Sequence, residues 1–109
     1  MTLTKWEIWL VEMPFEEGIG KKVRPALVLD PLSQLVLVAK MTSHSPRPNY
    51  PHEYQVIDWQ KSGLQCQTTI RLSKRVRLKE SAFIRKMGVL QPLDQVNVRA
   101  ILAQIMSKK

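Results

Sequence analysis

Residues 23–40, VRPALVLDPLSQLVLVAK, contain two apolar runs separated by a turn signature. The runs Val23 to Leu29 and Gln34 to Lys40 are rich in valine and leucine, and valine in particular favours strands. Between them, 30–33 place an aspartate acceptor first and a proline second, which is the pattern of a tight turn. We therefore predict a β-hairpin here. Pro25 cannot donate to a strand ladder, so it predicts either an edge position or a bulge near the beginning of the first strand.

Shorter patterns surround this hairpin. Glu7 to Met13 alternates in part and ends at Pro14, which predicts a half-buried first strand. The segment Phe15 to Lys22 has two glycines and charges of both signs, so we expect a surface loop. Three prolines within 45–51 predict an exposed, stiff loop, and a strand is expected over His52 to Ile57.

The carboxyl-terminal half changes character along its length. Asp58 to Gly63 predicts one helical turn with Asp58 as N-cap, followed by short strands over Thr68–Leu72 and Val76–Leu78. The period changes in Glu80 to Met87, which ends at Gly88. Pro92 then begins a helix whose apolar residues are expected on one face: Leu93, Val96, Ala100, Ile101 and Ile105. Short strands followed by one helix indicate an α+β fold that is mainly β, a small SH3-like barrel with a C-terminal helix, and residues 1–109 are expected to form a single domain.

Charge is the strongest compositional signal. The formal net charge is +8 and the isoelectric point is about 10.0. Between residues 61 and 86 the only acid is Glu80, among the basic residues Lys61, Arg71, Lys74, Arg75, Arg77, Lys79, Arg85 and Lys86. Such a field attracts polyanions, so nucleic acid is the expected partner and an acidic protein the alternative.

Composition also limits the setting in which the chain is expected to act. The longest apolar runs are far shorter than the roughly 18 residues of a membrane span, and the amino end lacks a signal-peptide layout. We therefore expect a cytoplasmic protein that does not engage a membrane. Cys66 is the single cysteine and has no partner at zinc or redox spacing, so no metal or other cofactor is predicted.

Four motifs together resemble a known family. They are WLV at 9–11, KKVRPALVL at 21–29, VAKMTS at 38–43 and TIRL at 69–72. Spread over nearly the whole chain, roughly residues 7 to 105, they resemble the PemK/MazF family of type II toxin endoribonucleases. This resemblance implies an SH3-like barrel, a homodimer and metal-independent cleavage of single-stranded RNA. It also implies neutralisation by a small antitoxin whose disordered tail occupies the RNA groove.

One departure concerns the beginning of the first strand. The family usually has Gly-Asp there, whereas this chain has Trp6-Glu7. The second position is still acidic, but the glycine that would form a tight turn is missing. The sequence therefore leaves the first residue of the strand undecided.

The family's catalytic positions correspond by motif to Arg24 and Thr42. The implied reaction is transesterification, which needs a base, an acid and fixed donors for the phosphoryl charge. Arg24 can pair with phosphate at two points, and Thr42 and Ser43 can each donate one hydrogen bond. His44 is a candidate proton carrier, because imidazole is the side chain that most often carries protons near neutral pH, and Arg24 itself is the alternative. The identity of the general base stays open.

Further residues are expected to bind RNA. Lys21 and Lys22 would line a phosphate track, while Arg47 would bind phosphate and Tyr50 would stack on a base. Arg71, Lys74, Arg75 and Arg77 form a basic cluster that would track RNA or meet an acidic antitoxin tail. The alternative to a nuclease is a noncatalytic nucleic-acid-binding regulator or a topoisomerase-poisoning toxin on the same barrel. The topoisomerase poison would rely on a carboxyl-terminal Trp-Gly pair, and this chain ends MSKK.

Overall fold

Six strands and one helix make up the part of the chain that the computed structural model describes, residues 2–14 and 20–107. They are β1 (Glu7–Pro14), β2 (Lys21–Asp30), β3 (Val36–Thr42), β4 (Glu53–Gln55), β5 (Thr69–Leu78), β6 (Phe83–Val89) and α1 (Pro92–Ser107). The strands form one antiparallel sheet in the order β4-β5-β3-β2-β1-β6. The sheet curves like a barrel without closing strictly, which confirms the predicted α+β class.

The central strands bury side chains on both of their faces. On β2, Leu27 belongs to the cluster that packs against α1, whereas Ala26 and Val28 belong to a second cluster that contains Phe83. These three β2 side chains are fully buried. Because burial of a large aliphatic side chain contributes about 1.5–3 kcal/mol, strands that are buried on both faces contribute strongly to stability.

The hairpin of β2 and β3 is present as predicted. Leu32 donates its backbone N–H to Oδ1 of Asp30 at 3.0 Å, which is the side-chain turn that the sequence indicated. The predicted loop from Phe15 to Lys22 is wrong at its end, because Lys21 and Lys22 pair with β1 and begin β2. Residues 15–19 of that predicted loop lie outside the described residues.

Pro25 lies in a central strand rather than at a sheet edge, yet at this residue only one neighbouring strand pairs with β2. It pairs with Leu10 of β1, while the pairing of β2 with β3 begins only at Ala26. The edge prediction is therefore wrong for the strand as a whole. Proline is tolerated because β2 has no partner on its β3 side at this residue.

The helix buries a different face from the one expected. Leu93 and Val96 are about half exposed, whereas Asp94 and Val98 are completely buried. Ile101 and Ile105 do pack against the core, as predicted. Along the described chain, no helix combines the length and apolarity that crossing a membrane would require.

Three other local predictions differ from the structure. The strand expected over His52–Ile57 shortens to β4, and the two strands after Thr68 join into β5 across a register shift. The turn predicted over residues 58–63 is present, because the Ser62 N–H donates to the Asp58 carbonyl and Gly63 closes the turn with φ of 88°. Glu80–Met87 is a 3₁₀ turn and most of β6, not a change to a helical period.

The first strand begins at Glu7. The residue before it, Trp6, has a left-handed backbone conformation although it is not glycine. Trp6 has φ of 77°, a conformation that costs a side-chain-bearing residue about 1–2 kcal/mol. Two backbone hydrogen bonds hold it, from Trp6 N–H to Val28 O at 2.9 Å and from Leu90 N–H to Trp6 O at 2.8 Å. Its ring is almost completely buried, and that burial offsets the strain.

Candidate nucleic-acid groove

The strand register brings the two predicted catalytic residues to the same place. Ala26 pairs with Lys40, Leu27 with Ala39 and Val28 with Val38. Extending this antiparallel register by two residues puts Arg24 opposite Thr42, just beyond the last paired residues. Residues directly opposite each other in a sheet share a face, so both side chains extend the face that carries Ala26 and Val38.

Two adjoining cavities meet at these residues, and together we call them the groove. The larger has a volume of about 550 Å³ and the smaller about 340 Å³. Arg24, Met41, Thr42 and His44 line both. The predicted cation, hydroxyl and imidazole are therefore gathered in one groove.

The two cavities differ in charge. The described residues lining the larger one include five cationic side chains and no acid: Met13, Pro14, Lys22, Arg24, Lys40, Met41, Thr42, His44, Arg47 and Arg71. The smaller one adds mostly neutral groups, which are Leu10, Pro25, Ser43, Leu64, Gln65, Cys66, Thr68 and Met87. The larger cavity suits a phosphate chain, and the smaller one suits a less charged group.

Thr42 and His44 belong to a short turn that a neighbouring strand fixes. Thr42 Oγ1 accepts the His44 N–H at a long 3.4 Å, and Thr69 Oγ1 donates to the His44 carbonyl at 2.6 Å. Thr69 is completely buried on β5. The sequence prediction gave it no role, although it begins the TIRL motif.

Arg24 itself is exposed on β2. Its guanidinium donates a hydrogen bond from Nη1 to the Val23 carbonyl at 3.2 Å. That bond uses one of five N–H groups, so the side chain can still bind an anion at two points.

A buried carboxylate gathers two of the predicted RNA-binding arginines. The Glu53 side chain is 2% exposed and accepts from Arg47 Nη2 at 3.3 Å and from Arg71 Nε at 3.1 Å. Its other oxygen accepts the Arg47 backbone N–H at 3.0 Å. Burial acts to raise the pKa of Glu53, but the hydrogen bonds from Arg47 and the charges of both arginines outweigh it, so that pKa is lowered. Tyr50 stacks on the same Arg47, and the Arg47 guanidinium carbon lies 3.9 Å from the centroid of the Tyr50 ring.

Most of the predicted site residues line the groove, and the rest do not. Those outside its lining are Lys21, Tyr50, Lys74, Arg75 and Arg77. Lys21 is excluded because neighbouring strand residues point to opposite faces, and Lys22 takes the groove face. Arg75 and Arg77 pair with Ala39 and Leu37, toward the end of β3 away from Thr42.

Some lining residues were missed by the sequence prediction. Lys40 and Cys66 line the groove, and Glu53 holds two of its arginines. Lys40 could have been found, because it is two residues before Thr42 and therefore on the same strand face. Glu53 and Cys66 carry no such signal, because only the folded chain brings Glu53 to Arg47 and Arg71 and brings Cys66 into the groove.

Several solved structures have the same fold as this chain. An endoribonuclease in complex with its cognate antitoxin, from a mycobacterial species, has a TM-score of 0.78 and 10% identity, covering 99% of this chain and 98% of that one. The Mycobacterium tuberculosis toxin MazF-mt6 gives 0.71 and 18%, covering 94% and 98%. The MazE-MazF structure from Deinococcus radiodurans gives 0.67 and 19%, covering 100% of both chains. At these identities the likeness shows the fold.

Sequence comparison assigns the family. A search of curated protein sequences found no match to this chain. The sequence model of a toxin family does match, and it covers residues 4–106, nearly the whole chain. The match includes both sides of the groove and the helix α1. This chain therefore belongs to the PemK-like, MazF-like toxin family of type II toxin-antitoxin systems.

Proposed function

We propose that this toxin is an endoribonuclease that cleaves single-stranded RNA by attack of a ribose 2′-hydroxyl, without a metal ion or other cofactor. The observation that carries the proposal is the meeting of Arg24 and Thr42 in one groove beside a strongly basic cavity. The mycobacterial relative described above is an endoribonuclease, which supports the same assignment.

The groove residues match the needs of that reaction. The 2′-oxygen forms a bond to phosphorus, the bond from phosphorus to the 5′-oxygen breaks, and the products are a 2′,3′-cyclic phosphate and a 5′-hydroxyl. Arg24 stabilises the charge that develops on the phosphoryl oxygens, and Thr42 and Ser43 donate further hydrogen bonds. His44 takes the 2′-proton, a solvent water molecule protonates the 5′-oxygen as it leaves, and the hydroxide that remains takes the proton from His44. The need for a 2′-hydroxyl selects RNA over DNA.

The basic cavity would hold the RNA chain on one side of the cleavage point. Lys22, Lys40, Arg47 and Arg71 line it together with Arg24. Lys21, Lys74, Arg75 and Arg77 lie outside the groove, and their role is to attract RNA at longer range. Tyr50 acts through Arg47, on which it stacks.

Two protein partners complete the proposal. We assign this chain a cognate antitoxin and a second copy of itself, with action in the cytoplasm. The mycobacterial relative was solved with its cognate antitoxin, which supports the first partner. The homodimer follows from the family alone, and the cytoplasmic location follows from the composition of the sequence.

Cleavage of a long unstructured RNA in EDTA, with mapping of the new ends, tests the proposal. We expect 2′,3′-cyclic phosphate ends from the wild type. Arg24→Ala should slow cleavage by about 100-fold or more, because fixed charge-stabilising donors have effects of this size. Thr42→Ala removes a neutral donor and should slow it about tenfold.

Arg85→Ala is the matched control. Arg85 is an exposed arginine of β6 outside the groove, so its loss changes the net charge equally and should leave the rate unchanged. Wild-type speed in Arg24→Ala would contradict the catalytic assignment, and loss of all cleavage in EDTA would contradict metal independence. Tight RNA binding without any cleavage would instead favour a noncatalytic binder.

A further inference from the structure

We propose that Arg47 forms a nucleobase-stacking subsite at the rim of the groove, with Glu53 and Tyr50 as its positioning residues. The identity of the ligand as RNA rests on the proposed function. The subsite assigns Arg47 to a base rather than to a phosphate, contrary to the expectation from sequence.

One edge of the Arg47 guanidinium is closed to a ligand, because Nη2 donates to Glu53 and Nε is buried without a hydrogen-bond partner among the described residues. Its Nη2 donates to Glu53 Oε2 at 3.3 Å, and Arg71 Nε donates to the same oxygen at 3.1 Å. A phosphate bound at two points along that edge would have to displace Glu53 and reach the buried Nε. One carboxylate shared by two guanidiniums also leaves a single net positive charge, which weakens the attraction of this pair for phosphate.

The flat faces of the guanidinium are free of hydrogen bonds and suit a different ligand. One face packs on the Tyr50 ring, with 3.9 Å between the guanidinium carbon and the ring centroid. Arg47 lines the larger cavity and Tyr50 does not, so the opposite face is the one available to the cavity. Nucleobases stack on arginine planes as well as on aromatic rings, and this is a common way of holding unpaired RNA bases.

The loop that carries Arg47 is fixed before any ligand binds. The Arg47 backbone N–H donates to Glu53 Oε1 at 3.0 Å, and the Tyr50 N–H donates to the Arg47 carbonyl at 3.1 Å. Pro46 and Pro48 restrict the backbone on each side of Arg47. A flat surface held in this way loses little conformational entropy on binding a base.

Arg47→Lys separates base stacking from phosphate contact. Lysine keeps the positive charge but has no planar face. The probes are a mixed-sequence 2′-fluoro RNA oligonucleotide, whose sugar cannot act as nucleophile, and an abasic oligonucleotide with the same number of phosphates. Affinities for both are measured over a series of salt concentrations.

We expect Arg47→Lys to lose about tenfold of affinity for the base-bearing probe, which corresponds to about 1.4 kcal/mol. Its affinity for the abasic probe and its salt dependence should match the wild type. Arg24→Ala is the phosphate control, and it should flatten the salt slope by about 0.7 for the phosphate contact it removes. Tyr50→Leu should show the same base-selective loss as Arg47→Lys, and Tyr50→Phe should not.

Full retention of affinity by Arg47→Lys, or an equal loss on both probes, would overturn the subsite. Thermal unfolding of each variant shows whether its fold is intact. Failure of the nuclease proposal can be told apart from failure of the subsite. If Arg47 contributes base-selective binding but the protein does not cleave RNA, the subsite stands and only the nuclease activity is rejected. A wild type that binds neither probe would reject both.

Discussion

Two neighbouring residues of the short strand β4, Glu53 and Tyr54, serve opposite sides of the molecule. Glu53 faces the groove and accepts hydrogen bonds from Arg47 and Arg71. Tyr54 faces the helix, where its hydroxyl donates a short hydrogen bond to Asp94 and accepts one from Asn97 at 2.9 Å. Each side therefore has its own buried carboxylate, Glu53 at the groove and Asp94 on α1.

The donors to these carboxylates explain their different roles. Asp94 accepts the backbone N–H groups of Ile57 and Asp58, both at 2.9 Å, as well as the Tyr54 hydroxyl. It joins three parts of the chain through neutral groups. Glu53 instead holds two cationic side chains that line the groove. Asp94, whose donors are all neutral, stabilises the fold, whereas Glu53, whose donors include two arginine side chains, arranges a binding surface.

The largest stability effect should follow from Asp94→Ala. Three donors lose their acceptor, and at about 1 kcal/mol each the free energy of unfolding should fall by about 3 kcal/mol. Denaturant unfolding measures this directly, and for a domain of this size Tm should fall by roughly 10 °C or more. Asp94→Asn, which keeps one accepting oxygen, should lose less.

Affinity of the folded Asp94→Ala protein for the 2′-fluoro probe should remain that of the wild type. A loss of affinity at a temperature where the variant is fully folded would mean that the two carboxylates are not separate in function.

Glu53→Gln should have a smaller effect on stability and a larger one on the groove. We expect the free energy of unfolding to fall by about 1–2 kcal/mol, because two charge-assisted hydrogen bonds weaken while both arginines can still reach water. The affinity of Glu53→Gln for the base-bearing probe should fall as well as its free energy of unfolding. Glu12→Gln, at an exposed position of β1, is the matched control for the lost charge.

The same variant has a defined dependence on pH. The pKa of Glu53 is lowered in the folded protein from the ordinary value of 4.5, so its contribution is complete above that pH and is lost as the pH falls through the folded pKa. The stability difference between wild type and Glu53→Gln should therefore shrink on acidification below about pH 4.5. A difference that does not change with pH would contradict the ion-pair role.

The smallest effect is expected for Tyr54→Phe, at about 1 kcal/mol for one lost hydrogen bond. Burial and the hydrogen bond to Asp94 raise the pKa of Tyr54 from 10.0 to about 12. The folded protein then holds its proton where the unfolded chain has lost it, so this contribution is complete below pH 10.0 and declines as the pH rises to about 12.

Unfolding of the wild type and Tyr54→Phe at a series of alkaline pH values checks that sign. The gap between the two proteins should narrow on going from pH 10 to pH 12. A gap that widens over this range would show that the hydroxyl does not donate to Asp94.

Much of the fold could be predicted because it depends on local patterns. The turn at Asp30 follows from an acceptor and a proline in adjacent positions, and the strands around it follow from aliphatic runs. The helix was found from Pro92, but its buried face was wrong. Periodicity treats an aspartate as a surface residue, and Asp94 is buried because three donors from other elements meet it.

The first strand shows the same limit in backbone terms. The missing glycine at Trp6 left the start of β1 undecided, because a left-handed residue with a large side chain is unfavourable by itself. Hydrogen bonds to Val28 and Leu90, which lie far along the chain, impose that conformation nonetheless.

The sequence alone determined the charge, the hairpin and the spacing that pairs Arg24 with Thr42, because strand alternation and turn chemistry act over a few residues. Only the tertiary structure decided what surrounds that pair. Three contacts join residues from different elements. Glu53 accepts hydrogen bonds from Arg47 and Arg71, Thr69 donates one to the His44 carbonyl, and the buried Asp94 accepts from residues outside α1. Such contacts depend on how the sheet curves, and no local pattern in the sequence records that curvature.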